Sequence, residues 1–352
     1  MTKLRASFVF TPWEGRRLIG KAVAAMPEVQ YAHKNAELII AHGSTNVFVA
    51  EEVMGEVPHK PFYLSGQVIN HVLCQTQPEE KPPIIHLTKG EMTPPAPRMD
   101  EMLRNFDDKC VFIKGGNAVD PDFNAGVFCA HPGAGTIGFA SGILAARGSH
   151  LIIPIGLEKT VPSVIQAARH MGQDTFYYHA GQRTGMMPVT NATVITEIQA
   201  LKILFDIDDV FHVGGGGAMG SEGSVVLVAE AEKDKIDAAV ELYESIKGEP
   251  PLRTIKAYCA GCIPTTPSLD ASPDEQYEAH PKKHCLYEGL EESELPSFFV
   301  PRTEPITKNR STARLALSHI RVCLTFVADG RGRAVAGHEG HAIAQREDLF
   351  AD

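Results

Sequence analysis

Three apolar runs constrain this chain more than anything else in it: AELIIAH (36–42), CVFIKGG (110–116) and SHLIIPIG (149–156). None alternates polar with apolar residues, and each leads directly into glycine. A strand with one wet face would alternate. An unbroken run marks a strand buried on both faces, as in a parallel sheet covered by helices. Helical periodicity fills the intervals between the runs. The expected fold is therefore α/β, a mainly parallel sheet with helices on both faces.

The helices carry their own start and stop signals. In TPWEGRRLIGKAVAAM, Thr11 reads as N-cap, Pro12 as the first helical residue and Glu14 as the closing member of a capping box. Leu18, Ile19, Ala22, Val23 and Met26 fall on one face of that helix. Further helices are expected after Gly43, over GAGTIGFASGILAARG, VPSVIQAARHMG and TVITEIQALKILF, and over EKDKIDAAVELYESIK, with Gly248 as its stop. Strands are expected at ASFVF, TFYYH, DVFHV and SVVLVAEA, and NAGVFCA as the hairpin partner of CVFIKGG. Prolines break up residues 56–109, which predicts edge strands and loops there. After about residue 250 prolines and charges replace periodicity, so residues 1–250 are expected to form the ligand-binding domain and 251–352 a C-terminal extension.

Composition narrows the partners. A formal charge of −10 argues against nucleic acid as a partner, because a broad phosphate footprint needs a basic face. No apolar run is long enough to span a bilayer. The start of the chain lacks the apolar core of an export signal, and seven cysteines is an odd number for a disulfide framework. A cytoplasmic protein with reduced thiols is expected, forming a homo-oligomer and meeting a small anionic metabolite.

In an open parallel sheet, ligands collect outside the carboxyl ends of the strands. The Gly43-Ser44-Thr45 turn stands at such an end, where free amides at a helix start suit a phosphate or a carboxylate. A plain Ser/Thr helix cap is the other explanation of the same residues. His42, at the end of the strand, is either a site residue or simply the polar terminus of that strand.

The strand, Gly-Ser-Thr turn and second helix resemble the start of ribose-5-phosphate isomerases. Their superfamily includes glucosamine-6-phosphate deaminases, CoA transferases and the methylthioribose-1-phosphate isomerase group. The resemblance implies that Gly43, Ser44 and Thr45 hold a phosphate. The stretch 108–156 is similar to methylthioribose-1-phosphate isomerase relatives, with Gly116-Asn117 where that group has Gly-Ala-Asp, and with Gly135-Thr136 opening the following helix. Asn117 stands in place of the proton-transferring aspartate, and an amide has no useful pKa for that work. Asp120 is the substitute acid, or else part of an Asp-Pro turn.

The run HVGGGGAMGSEGSVVLV suggests close approach by a ligand at Gly215 and Gly216. Gly220-Ser221-Glu222-Gly223 resembles the Ser-Glu-Asn-Gly stretch of CoA transferases, which implies Glu222 as nucleophile and CoA as cofactor. An exposed hairpin loop is the plainer alternative. Lys159 and Glu158 lie just past the strand at 151–156, as an anion donor and an acid–base group or as an ordinary charged loop pair. Arg183, in AGQRTGMMP, is a candidate bidentate anion donor. Cys259, Cys262, His284 and Cys285 have zinc-ligand chemistry without a second Cys-x-x-Cys pair, so no metal is expected to be needed. Two alternatives stand beside the enzyme reading: a non-catalytic metabolite sensor, and an interaction protein organised by metal at those cysteines.

Overall fold

The computed structural model describes residues 3–252, except 58–59, 70–71, 77–80, 95–97 and 177–179. The proposed zinc-ligand residues Cys259, Cys262, His284 and Cys285, the C-terminal extension and most of the expected TFYYH strand lie outside the described residues.

The element order is β1 (Leu4–Phe10), α1 (Pro12–Ala25), α2 (Pro27–Asn35), β2 (Glu37–Ile40), α3 (Asn46–Met54), β3 (Gly66–Ile69), β4 (Val72–Gln75), β5 (Ile85–Thr88), β6 (Glu91–Met92) and α4 (Met99–Met102). There follow β7 (Val111–Ile113), β8 (Ala118–Val119), β9 (Ala125–Cys129), α5 (Gly135–Arg147), β10 (His150–Pro154), α6 (Val164–Arg169), β11 (Gly185–Val189), β12 (Thr193–Ile195), α7 (Glu197–Phe205), β13 (Asp209–Gly216), β14 (Ser224–Ala231) and α8 (Lys233–Ile246).

The fold is mixed α/β. Its largest sheet has six strands in the order β12-β10-β7-β2-β5-β6. The three buried runs supply β2, β7 and β10, which are parallel to their sheet neighbours along β12-β10-β7-β2. The rest of the sheet departs from a parallel plan, because β5 pairs antiparallel with β2, and β6 antiparallel with β5. β5 comes from the proline-broken region expected to hold only edge strands and loops, yet Ile85 and Leu87 are buried. Its neighbour β2 had one side unpaired, and a strand wanting partners outweighs weak local signals.

Side chains along the buried strands alternate between two cores. Leu38, Ile40, Val111, Ile113 and Ile152 join α1, α3 and α7 residues such as Ile19, Val47 and Leu201. Ile39, Phe112, Leu151 and Ile153 join Leu103, Ile137, Ala140 and Leu144. This double burial is the physical reason the runs show no alternation.

Smaller sheets account for the other strands. β1 and β13 flank β14 in an antiparallel sheet of three, so β1 lies apart from the parallel strands. β9 pairs with β8 and β11 rather than with β7. The expected hairpin between CVFIKGG and NAGVFCA is therefore replaced by a separate sheet, entered after Gly115 and Gly116. The capping box on α1 is formed: Glu14 N–H donates to Thr11 Oγ1 at 3.4 Å and Thr11 N–H to Glu14 Oε2 at 2.9 Å.

Candidate functional site

The carboxyl ends of β2, β7 and β10 bring together the turn after β2, Lys114, and the 3-10 turn Leu157–Lys159. The first is built around Asn46, which is fully buried. Its Nδ2 donates to Ala41 O at 2.7 Å and to Ile113 O at 3.4 Å, tying β2 to β7. Gly43 and Gly115 leave room for that amide, since a Cβ on Gly43 would lie 3.1 Å from Asn46 Cγ and one on Gly115 3.5 Å from Asn46 Oδ1. Asn46 Oδ1 has no hydrogen-bond partner among the described residues. Thr45 is buried and its side chain makes no cap bond, whereas Gly43 and Ser44 remain partly accessible. Gly43 N–H is already given to Tyr63 O at 3.1 Å.

His42 packs on Tyr63 with ring centroids 4.8 Å apart, and its Nε2 lies 2.7 Å from Pro82 O. A carbonyl only accepts, so Nε2 carries the hydrogen and Nδ1 is bare in the neutral ring. Burial lowers the imidazole pKa to about 4, assisted by the charges of Lys81 and Lys114. His42 is neutral at physiological pH.

Lys114 follows β7 directly, its N–H donating to Ile152 O at 3.0 Å. Its Nζ donates to Gly115 O at 3.2 Å, and Lys159 Nζ donates to the next carbonyl, Gly116 O, at 3.1 Å. Neither amine is ion-paired with a carboxylate among the described residues. Burial brings Lys114 down to about 8, with the Lys159 charge acting in the same direction. Burial also lowers Lys159, partly offset by Glu158.

Beside the lysines lies a junction of buried charge. Arg16 Nη2 donates to Glu158 Oε1 at 3.1 Å, while Arg16 Nε, Arg16 Nη1 and Glu158 Oε2 are buried without partners among the described residues. Arg16 also stacks on Trp13, 4.3 Å from the ring centroid. Glu197 accepts Leu157 N–H at 2.9 Å, and burial, together with the Glu158 charge, raises it to about 8. Gly15 lets α1 pass over this carboxyl, because a Cβ there would lie 2.4 Å from Glu197 Oε1.

The other candidate residues have different surroundings. Asp120 is buried and accepts from Asp122 N–H, Asn124 N–H, the Asn124 amide and Val164 N–H, all within 3.2 Å. Burial pushes its pKa up, but these donors outweigh it and hold the carboxyl below the usual carboxylate range. Asn117 Oδ1 accepts Phe128 N–H at 2.9 Å, within the β8–β9 sheet. Gly116 packs on Ile155, where a Cβ would come within 2.8 Å of Cδ1.

Glu222 is exposed and turns back on its own loop, accepting Gly220 N–H at 2.9 Å. Gly215 and Gly216 lie in β13 opposite Val225 and Ser224 and are exposed. Gly223 comes near the junction, since a Cβ there would be 3.6 Å from Glu158 Cβ. Gly135 and Thr136 open α5 behind Ala134, whose φ of 60° is left-handed. Arg183 Nη1 lies 3.9 Å from Asp174 Oδ1.

Arg16, Asn46, Lys114 and Glu197 escaped the sequence reading. Glu197 looks like an ordinary first-turn helix acid and Asn46 like a first-turn polar residue. Lys114 offered one usable signal: a charge set immediately after a fully buried strand.

Comparison with family models, curated proteins and solved structures finds no match for this chain. Among the described residues, no cluster of three or more metal-ligating side chains is present. No described helix is long and apolar enough to cross a membrane.

Proposed function

We propose that this chain binds a small anionic metabolite, phosphorylated or CoA-linked, at the carboxyl edge of β2, β7 and β10, and acts on it. The observation that carries the proposal is the lysine pair. Lys114 and Lys159 bond to adjacent glycine carbonyls and make no ion pair with a carboxylate among the described residues, which supports a pair of amine donors for an anion at this strand end. Ser44, partly accessible just before α3, adds a polar group at the same end of the strands. The parallel run β12-β10-β7-β2 fits a ligand seat at the strands' carboxyl ends, as in the sugar-phosphate isomerase and CoA-transferase superfamily.

Isomerase or acyl-transfer chemistry through Asp120 or Glu222 would require those acids to give up the bonds they make. A non-catalytic sensor on the same seat is the second reading, favoured by the full engagement of Asp120.

A thermal-shift series with ribose 5-phosphate, ATP and acetyl-CoA tests the seat. At a concentration about 100 times the Kd, a ligand stabilises by about 2.7 kcal/mol. The shift is expected to vanish in the Lys114→Met, Lys159→Met double variant and to shrink in Ser44→Ala. No shift with any of the three ligands, or an undiminished shift in a folded double variant, ends the proposal.

A further inference from the structure

We propose that Lys114 is a nucleophilic amine that condenses with the carbonyl group of an anionic metabolite to form an imine. It rests on the anion seat proposed above and names the chemistry done there.

Three features of the placement support it. The backbone of Lys114 is locked into the sheet between β2 and β10 by its N–H bond to Ile152 O at 3.0 Å, so the amine projects from a rigid strand end. Its only described hydrogen bond goes to a neutral acceptor, Gly115 O at 3.2 Å. The groups near enough to influence it by charge are Lys159 from the turn after β10 and the buried Cys129 thiol from β9, and its own charge reaches His42 in the turn after β2, which stays neutral. Burial and the Lys159 charge disfavour the ammonium, while Cys129 pulls the other way.

An amine at about 8 is roughly a quarter unprotonated at pH 7.5, against about 0.1% for an ordinary lysine. A lysine desolvated beside another cation is a recognised route to an activated amine. Lys159, held at Gly116 O, places a second amine at the adjacent carbonyl, where burial lowers its pKa and the Glu158 charge opposes that.

The step balances without a co-reactant. The Nζ lone pair attacks the carbonyl carbon, forming the C–N bond while the π electrons move to oxygen. The C–O bond then breaks and the oxygen leaves as water, carrying the two protons of the neutral amine. A C=N bond remains, and it becomes an iminium on taking up a solvent proton.

The test is reductive trapping on the full chain at pH 7.5, with sodium cyanoborohydride and either dihydroxyacetone phosphate or uncharged dihydroxyacetone, read by peptide mass mapping. The expected result is a reductant-dependent adduct on Lys114, at least about tenfold above any surface lysine, given its neutral fraction. The phosphorylated probe should label faster than the uncharged one. Lys114→Arg keeps the charge and the hydrogen-bond donor but should abolish the adduct.

A second measurement needs no variant. Competitive acetylation of the wild-type chain across pH should give Lys114 a titration near 8, well below the surface lysines. Labelling of Lys114 at the rate and pH dependence of surface lysines overturns the proposal and leaves it a donor to Gly115 O. If phosphorylated ligands still shift the melting temperature but no adduct forms, the imine fails and the anion seat stands. Equal trapping of both probes with no thermal shift keeps the amine and removes the anion seat.

Discussion

Two buried acids in this molecule sit in opposite electrostatic states. Asp120, in the turn between β8 and β9, collects donors from three backbone amides and one side-chain amide, and is held below the usual carboxylate range. Glu197, at the start of α7, receives one bond from outside its own helix start, from Leu157 N–H, and rises to about 8. Burial opposes the charge in both places. The number of aimed donors decides which carboxyl stays ionised. Asp120 therefore acts as an anionic clamp on its turn, and Glu197 behaves as a neutral polar group inside a half-satisfied junction.

The largest expected effect comes from removing the clamp. Asp120→Ala leaves the amides of Asp122, Asn124 and Val164 without their acceptor and should destabilise by about 3–4 kcal/mol in urea denaturation. A loss below about 1 kcal/mol would show that the turn does not depend on the carboxylate. Next comes Gly15→Val, which drives a side chain into Glu197 Oε1 and should cost about 2–3 kcal/mol. That penalty should fall when Glu197→Ala is added. Equal costs in the two backgrounds would mean that α1 objects for another reason.

The pH dependence sharpens the contrast further. Glu197 is raised in the folded state, so its contribution is full below the unfolded carboxylate value of 4.5 and is lost as pH rises through about 8. His42 is lowered from 6.5 to about 4, so its penalty is relieved between those values and opposes the Glu197 trend there. Lys114 is lowered from 10.5 to about 8, so its cost is relieved only above pH 8. Stability from these groups should fall between pH 6.5 and 8 and recover above it, with a slope of at most about 1.4 kcal/mol per pH unit per proton. Chemical denaturation at half-unit pH steps should show this minimum. Glu197→Gln should flatten the falling limb and Lys114→Met the rising one. Asp120 contributes stability above its unfolded value of 3.8 that is lost as pH falls through its lower folded value, outside this window.

The smallest expected loss belongs to Glu197→Gln at pH 7. The folded carboxyl is already neutral, and the amide spares the fold the cost of holding that proton above pH 4.5, so the change should leave stability unchanged or raise it in the same denaturation assay. A loss as large as that of Asp120→Ala would mean that Glu197 is ionised and that the contrast between the two acids is mistaken.

Much of the scaffold could be read from residue order. The α1 capping box, the apolar face of that helix and the three doubly buried strands all depend on neighbours close in sequence. β5 was not legible, because PPIIHL shows neither length nor alternation and its strand identity comes from pairing with β2. Candidate residues split the same way. Lys159 and Gly43 follow from their position at strand ends, and the structure places both at the carboxyl edge. Asp120, Asn117 and Glu222 were equally visible as polar residues in turns, yet each bonds to its own turn or sheet.

The sequence alone determined the three doubly buried strands and the capped start of α1, since periodicity and capping are set within a few residues; β5 and β12, the latter expected as the start of a helix, took their strand identity from sheet partners. Only the tertiary structure decided the electrostatics. Arg16, Lys114, Glu158, Lys159 and Glu197 come from four separate segments, and their states depend on how many donors and charges the fold gathers around each. That gathering is long-range, and no local pattern of residues encodes it.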